Sequence, residues 1–449
     1  MSTAAFVPLG QRRAVMLFLA FAFAYFLSTL IRAVTATLAP TLVQEFALSA
    51  ADLGLLAGGY FFGFALTQLP LGAWLDRLGP KRVVLAFLAV AVLACVAFAL
   101  ASGFVELLLA RIMCGVGVSA CLMAPLTSYR RWYAPGAQMR ASSWMLMTGA
   151  LGMVASTLPV QWLLPMVGWR GLFLVLGGLL ALSMALIAWQ VPAESAAPVP
   201  EAESDLVIAD RPVAPTGEAP STELTTSAAT QGYSAVWRDP FFRSLAPFGF
   251  VGYGGMVAIQ TLWAAPWLVN VAGYTAVAAS TAMFWLNVAM MVAFLLWGWV
   301  NPWLARKGWR AQRLMAWGLP VHIALLALMA CAGAHLGSYS GLLWTLFCIT
   351  GTVATLAQPA IGMAFPSALA GRALSSFNLL IFSGVFAVQW GIGLLIDGLR
   401  ALGWSPASAY QGAVGVFALC VLASYVHMLH AIGSGQKPHN PGLLAPAAP

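Results

Sequence analysis

Runs of about 20 apolar residues, the length an α-helix needs to cross a hydrocarbon layer of roughly 30 Å, recur along this chain from one end to the other. Twelve are expected, at 14–38, 53–75, 83–101, 105–128, 142–165, 170–190, 243–269, 276–300, 314–333, 341–363, 374–399 and 410–432, numbered here as spans 1 to 12. They are continuous and rich in Leu and Ala. The dyad alternation of outer-membrane strands, in segments of about 10 residues, is absent, so the runs read as helices and not as a barrel. Lipid offers the backbone no hydrogen-bond partners, and a helix supplies its own. With 61% hydrophobic and 8% charged residues, the chain also lacks the polar surface to cover a water-soluble globule of its size. An all-α membrane protein of twelve transmembrane helices follows.

The net charge of +8 is explained by topology. Seventeen of the 21 Lys and Arg fall on one side of the proposed helices, among them Arg12, Arg13, Lys81, Arg82, Arg140, Arg306 and Lys307. Only Arg170 and Arg400 fall on the other, and Arg32 and Arg111 lie within spans. By the positive-inside rule the basic side is cytoplasmic, with both termini there and an even number of spans. A nucleic-acid partner is unnecessary. No cleavable leader is read, because the first apolar run is longer than a signal core. The six cysteines all lie in apolar runs without CxxC spacing, so neither a disulfide framework nor a zinc site is indicated. No cofactor is expected.

Between spans 6 and 7 runs a stretch rich in Pro, Ala, Ser, Thr and acids that cannot bury enough apolar surface to fold alone. The expected organisation is a cytoplasmic N-terminus over 1–13, a six-helix bundle over 14–190, a flexible cytoplasmic linker over 191–238, a second bundle over 239–432 and a tail over 433–449. The two halves rhyme. "PGAQMRASSW" after span 4 and "PSALAGRALSSFN" after span 10 both place Pro, Arg, Ser-Ser and an aromatic residue in order. Parallel repeats of this kind imply a pseudo-twofold axis along the membrane normal and a binding site between the halves.

"GAWLDRLGPKR", between spans 2 and 3, resembles the loop signature of the major facilitator superfamily at Gly72, Asp76, Arg77, Gly79, Lys81 and Arg82. "RIMCGVG" in span 4 is similar to the same family's second pattern at Arg111, Gly115 and Gly117. The resemblance implies two pseudo-symmetric six-helix bundles, a loop acting as a conformational lock, and an Arg111 that serves either proton coupling or the structure of span 1. Physically, Asp76 can stabilise a helix N-terminus or pair with an arginine. In the second half Pro302 and Trp303 stand where the acid and the following arginine would fall, so an equivalent latch is not expected there. The stretch "GALGMVASTLP" in span 5 lacks the Gly-Pro and final Gly-Gly found in many exporters of the family, which disfavours drug export.

Arg32 needs a reason, since a cation at helix depth costs about 2.5–3.5 kcal/mol on insertion scales. Tyr25, Ser28, Thr29, Arg32 and Thr35 recur every three to four positions and form one stripe, which suits a wet cavity. Two readings stand: recognition of an anion through the forked guanidinium, or snorkelling to the surface. The first-helix region resembles the organophosphate/phosphate exchanger and organic-anion symporter branches, where an arginine here helps bind an anionic substrate. The second arginine that the exchanger branch places on span 7 is missing, so a single carboxylate fits better than phosphate. Tyr60, Tyr253, Gln260, Trp263, Gln358, Asn378 and Gln389 complete the candidate substrate-binding set with Arg32, Tyr25 and Thr29.

No acid falls at mid-membrane in any expected span, and Asp397 sits at the outer end of span 11. Coupling through Asp397, through a protonated substrate, or through no proton at all remains open at this point. An enzyme is not expected: there is no HExxH, no paired acids on one helix, no phosphate loop and no Ser/His/Asp cluster. The sequence therefore reads as a monomeric secondary transporter of the bacterial inner membrane, working by alternating access on a small-molecule substrate, with a proton as candidate co-substrate. Uptake of a small carboxylate-type organic anion is the leading expectation, and export of drugs or metabolites the alternative.

Overall fold

The computed structural model describes residues 10–133, 135–192, 232–307, 309 and 311–433, and among these it is helical with no strand. Among the described residues ten helices are long and apolar enough to cross a membrane, and the pair Ala50–Leu66 and Gln68–Leu75, bent by 42°, makes an eleventh if it is one span. Helical segments cover all twelve expected spans. Span 5 is Pro135–Ala155 plus the opening turns of Leu158–Gln190, and span 6 is the remainder of that helix beyond Gly168. Gly168 has φ 65°, in the left-handed region that favours glycine, so two helices meet there at a kink. The first nine residues, 193–231 of the expected linker and the tail from 434 onward lie outside the described residues.

Span 1 is longer than expected. The apolar run ends near residue 38, yet the helix runs from Gln11 through Pro40 to Phe46 and closes on Ala47 in the left-handed conformation. Its terminal turns carry Glu45, whose carboxylate accepts 2.6 Å bonds from the Trp169 indole and the Arg170 guanidinium at the start of span 6.

Each half has its own apolar core. One gathers residues from Leu17 to Val191, the other residues from Val236 to Met428. The exceptions show where the halves meet. Ala258 and Val385 belong to the first core, and Ala36, Ala39, Leu53 and Ala57 to the second. Outward faces carry exposed Leu93, Trp162, Trp285 and Trp317, a surface fit for acyl chains and not for water.

The family-like glycines have packing reasons. A Cβ on Gly115 would lie 1.9 Å from the Tyr60 carbonyl oxygen, and one on Gly117 2.3 Å from the Ala91 nitrogen. Span 4 thus crosses spans 2 and 3 with backbone against backbone.

Candidate functional site

Arg32 sits two-thirds of the way along span 1 and its guanidinium lies between the two halves. Its carbon is 5.6 Å from the Phe64 ring centre on span 2 and 5.9 Å from that of Phe382 on span 11. Those two rings touch each other, with centroids 4.5 Å apart. Tyr25, Tyr60 and Tyr253 stand near enough to interact with the charge. Among the described residues no carboxylate pairs with Arg32, and its Nε, shut off from solvent, has no hydrogen-bond partner.

Arg111 supports this arrangement from behind. It is fully buried, donates from Nη2 to the Arg32 carbonyl oxygen at 3.0 Å, and lies 5.0 Å from the Tyr60 ring centre. The Tyr60 hydroxyl in turn donates to the Ser28 carbonyl at 3.3 Å. Arg111 therefore ties spans 1, 2 and 4 together around the turn that carries Arg32.

The rest of the predicted set divides. Tyr25 and Thr29 face span 5: added Cβ atoms on Gly149 and Gly152 would meet the Tyr25 ring at 2.5 Å and the Thr29 hydroxyl at 2.1 Å. Thr29 donates to the Phe26 carbonyl at 3.0 Å, so its hydroxyl is occupied within its own helix. The stripe on span 1 thus packs for much of its length on span 5, whereas a wet cavity was expected.

Span 7 is broken by two π-helical turns, Gly249–Tyr253 and Ile259–Trp263, which hold two of the predicted residues at their ends and a third, Gln260, within. Such turns gather at functional sites because they re-aim side chains. Gln260 donates to Asn287 of span 8 at 2.9 Å. Gln389 donates to Thr261 at 3.0 Å and accepts at its carbonyl from the Trp263 indole, also at 3.0 Å. Gln358 and Asn378 bond to each other between spans 10 and 11. Asn378 is one turn from Phe382 and shares its face. The amides thus join helices of the second half, and Trp263, 2% exposed, is a core residue.

The described lock residues have different surroundings. Gly79 holds φ 80°, a turn that favours glycine, while Gly72 faces open space. Lys81 donates to the last carbonyls of span 6, at Ala188 (2.8 Å) and Val191 (2.6 Å), which makes it a cap inside the first half. Arg77 and Arg82 are exposed. The side chain of Asp76 lies outside what the structure describes.

Phe64 and Phe382 were missed by sequence reasoning. A phenylalanine in an apolar run carries no mark of function, and only the glycines flanking them, Gly63 and Gly384, hinted at close helix crossings. Asp397 is not isolated either. Its two oxygens accept from the Ala50 and Ala51 backbone N–H groups at 3.1 and 2.7 Å, across the boundary between halves. Beside it, at the arginine-poor end, lies a cavity of about 420 Å³ lined by Pro40, Gln161, Asn270, Ser280, Asp397 and Tyr410 among others.

The Major Facilitator Superfamily model matches residues 21–389. The chain is 28% identical over 276 residues to a gallate transporter of Pseudomonas putida, a match spanning 60% of this chain and 61% of that one. It is 25% identical over 392 residues to a D-galactonate transporter of Escherichia coli, across 83% and 86% of the two chains. Among solved structures, an inward-facing bacterial homologue of the human lysosomal transporter Spinster aligns with a TM-score of 0.74 at 18% identity, over 97% of this chain and 100% of that one. A D-xylose–proton symporter aligns with a TM-score of 0.70 at 15% identity, over 92% and 97%. At those identities the structures speak for the fold alone. The family match covers most of the length, and the chain belongs to the Major Facilitator Superfamily of membrane transporters.

Proposed function

We propose that this transporter takes up a small organic anion by alternating access between its two six-helix halves, with Arg32 receiving the carboxylate. The observation that carries the reading is the guanidinium of Arg32, which has no carboxylate partner among the described residues and is held between Phe64 and Phe382 from opposite halves. Burying a charge without a counter-ion is costly, and a substrate carboxylate would supply one through two parallel bonds. The flanking aromatic rings suit an apolar or aromatic body. The names of relatives point the same way: besides gallate and galactonate, a 29% identical match over 36% of this chain is a 4-hydroxybenzoate transporter of Pseudomonas aeruginosa.

In this reading the protein is a monomer in the bacterial inner membrane with its basic loops and both termini in the cytoplasm. The first half holds the charge, the second closes over it, and the segment around 191–238 tethers them. The described spans put no acid beside Arg32, so a coupled proton would travel on the substrate or by way of Asp397.

The test is uptake of labelled gallate, 4-hydroxybenzoate and galactonate by cells expressing Arg32→Lys at the parent's membrane level. Lysine keeps the charge and loses the fork, so uptake should fall by about 10-fold or more. Undiminished uptake by Arg32→Lys of an anion that the parent carries would refute the assignment of Arg32.

A further inference from the structure

The first turn of span 2 is capped from two sources. Ser49 and Asp52 form a reciprocal box that satisfies the N–H groups of Ser49 and Asp52. The N–H groups of Ala50 and Ala51 are left, and both point at the carboxylate of Asp397, which arrives from span 11 of the other half. A helix start leaves such donors without partners and carries partial positive charge, so a carboxylate is the favoured cap. Here the cap is supplied across the boundary that must open in the transport cycle.

The surrounding seam is built for that contact. A Cβ on Gly393 would lie 2.3 Å from the Ala50 carbonyl oxygen, and one on Gly54 2.3 Å from that of Gln389. Spans 2 and 11 therefore meet backbone to backbone for more than a turn beneath Asp397. On the opposite flank Ser280 of span 8 donates to Gln161 of span 5 at 3.3 Å, a longer, neutral bond. Separating the halves at this end would strip two N–H groups and one carboxylate of their partners at once.

We propose that Asp397 is the positioning residue of the arginine-poor gate: by capping span 2 it holds this end of the transporter shut and sets how often the gate opens. The reporter is Ala57→Cys, two turns below Ala50, where the native side chain is 2% exposed and packed in the core of the other half. It is placed in a Cys331→Ser/Cys420→Ser background, which removes the two exposed thiols. Labelling by a membrane-impermeant maleimide is timed from outside on intact cells and from inside on inverted vesicles.

Asp397→Asn should speed labelling from one face by about 10-fold, the ratio expected when a charge-assisted cap is weakened. Ala50→Pro removes one donor while proline remains at home in a first turn, and it should act in the same direction. The two changes together should do no more than Asp397→Asn alone, because they break the same contact. An unchanged rate in Asp397→Asn, acceleration from both faces alike, or effects that multiply would each overturn the latch. If Asp397→Asn fails to reach the membrane, Ala50→Pro decides alone by the same criteria. Acceleration confined to the cytoplasmic face would reverse the orientation proposed above and leave the latch standing.

Discussion

Gly115→Ala tests whether backbone contact between spans 2 and 4 sets the position of the charge site. The added methyl would stand 1.9 Å from the Tyr60 carbonyl oxygen and 3.0 Å from the Phe64 nitrogen. An ordinary carbon–oxygen contact needs about 3.3 Å, so the two helices must part by about 1.4 Å. Neither partner is a flexible side-chain end, and the strain cannot be absorbed locally. Overpacking of this kind costs about 1–3 kcal/mol and occasionally more. At about 2–4 °C per kcal/mol for a unit the size of one half, Tm in detergent should fall by at least about 2 °C. Tyr60 and Phe64 flank Arg32 and would move with span 2, so uptake should fall further than the loss of folded protein explains. The control is Gly72→Ala, on an exposed helical turn with nothing within 4 Å. Alanine is the better helix former there by about 0.5–1 kcal/mol, and Tm should hold or rise. A Gly115→Ala protein that melts no lower than Gly72→Ala and transports like the parent would refute the reasoning.

Lys81→Met keeps the stem and removes the ammonium that caps the span 6 carbonyls; Tm should drop by a degree or two with uptake unchanged, whereas a large loss of uptake at normal Tm would return Lys81 to the lock. Gln260→Leu should destabilise by about 1–3 kcal/mol because it strands the buried Asn287 carbonyl oxygen, while Gln260→Leu with Asn287→Leu should recover most of that in a melting assay. Recovery of stability together with normal uptake assigns the pair to packing, and recovery without uptake assigns Gln260 to the substrate.

The spans were legible because a bilayer imposes one length on every crossing helix, and that length shows as an apolar run whatever the residues do. Gly115 and Gly117 were marked by the family pattern, and the structure supplies their physical reason, a backbone crossing that leaves no room for a Cβ. What faced each stripe was not. The period of 3.6 places Tyr25, Thr29 and Arg32 on neighbouring lines of one helix, yet it cannot say that Gly149 and Gly152 take up the first two and leave the third for the boundary. The partners of Asp397 were hidden for a different reason: they are backbone N–H groups, which any two residues would have supplied. The π-helical turns of span 7 likewise leave no composition mark beyond the glycines of "GFVGYGG", and they shift Tyr253 and Gln260 relative to one another from where a regular helix would put them.

The two halves share a fold and divide the chemistry. Among the described residues Arg111 is the one fully buried lysine or arginine, and its bond to the Arg32 carbonyl anchors in the first half the backbone that carries Arg32. The second half answers with amides bound to each other or to a threonine, and with Phe382. Amide pairs hold helices together without carrying net charge, so that half can move as a unit against a charged partner with no buried ion of its own to desolvate. Under the proposed reading, two of the contacts between the halves that must change in the transport step are already in view. Phe382 must leave Phe64 to open one end, and Asp397 must leave span 2 to open the other. Both contacts lie along the single seam between spans 2 and 11, which is why the glycines of that seam, Gly54 and Gly393, constrain the cycle as tightly as the arginine that receives the cargo.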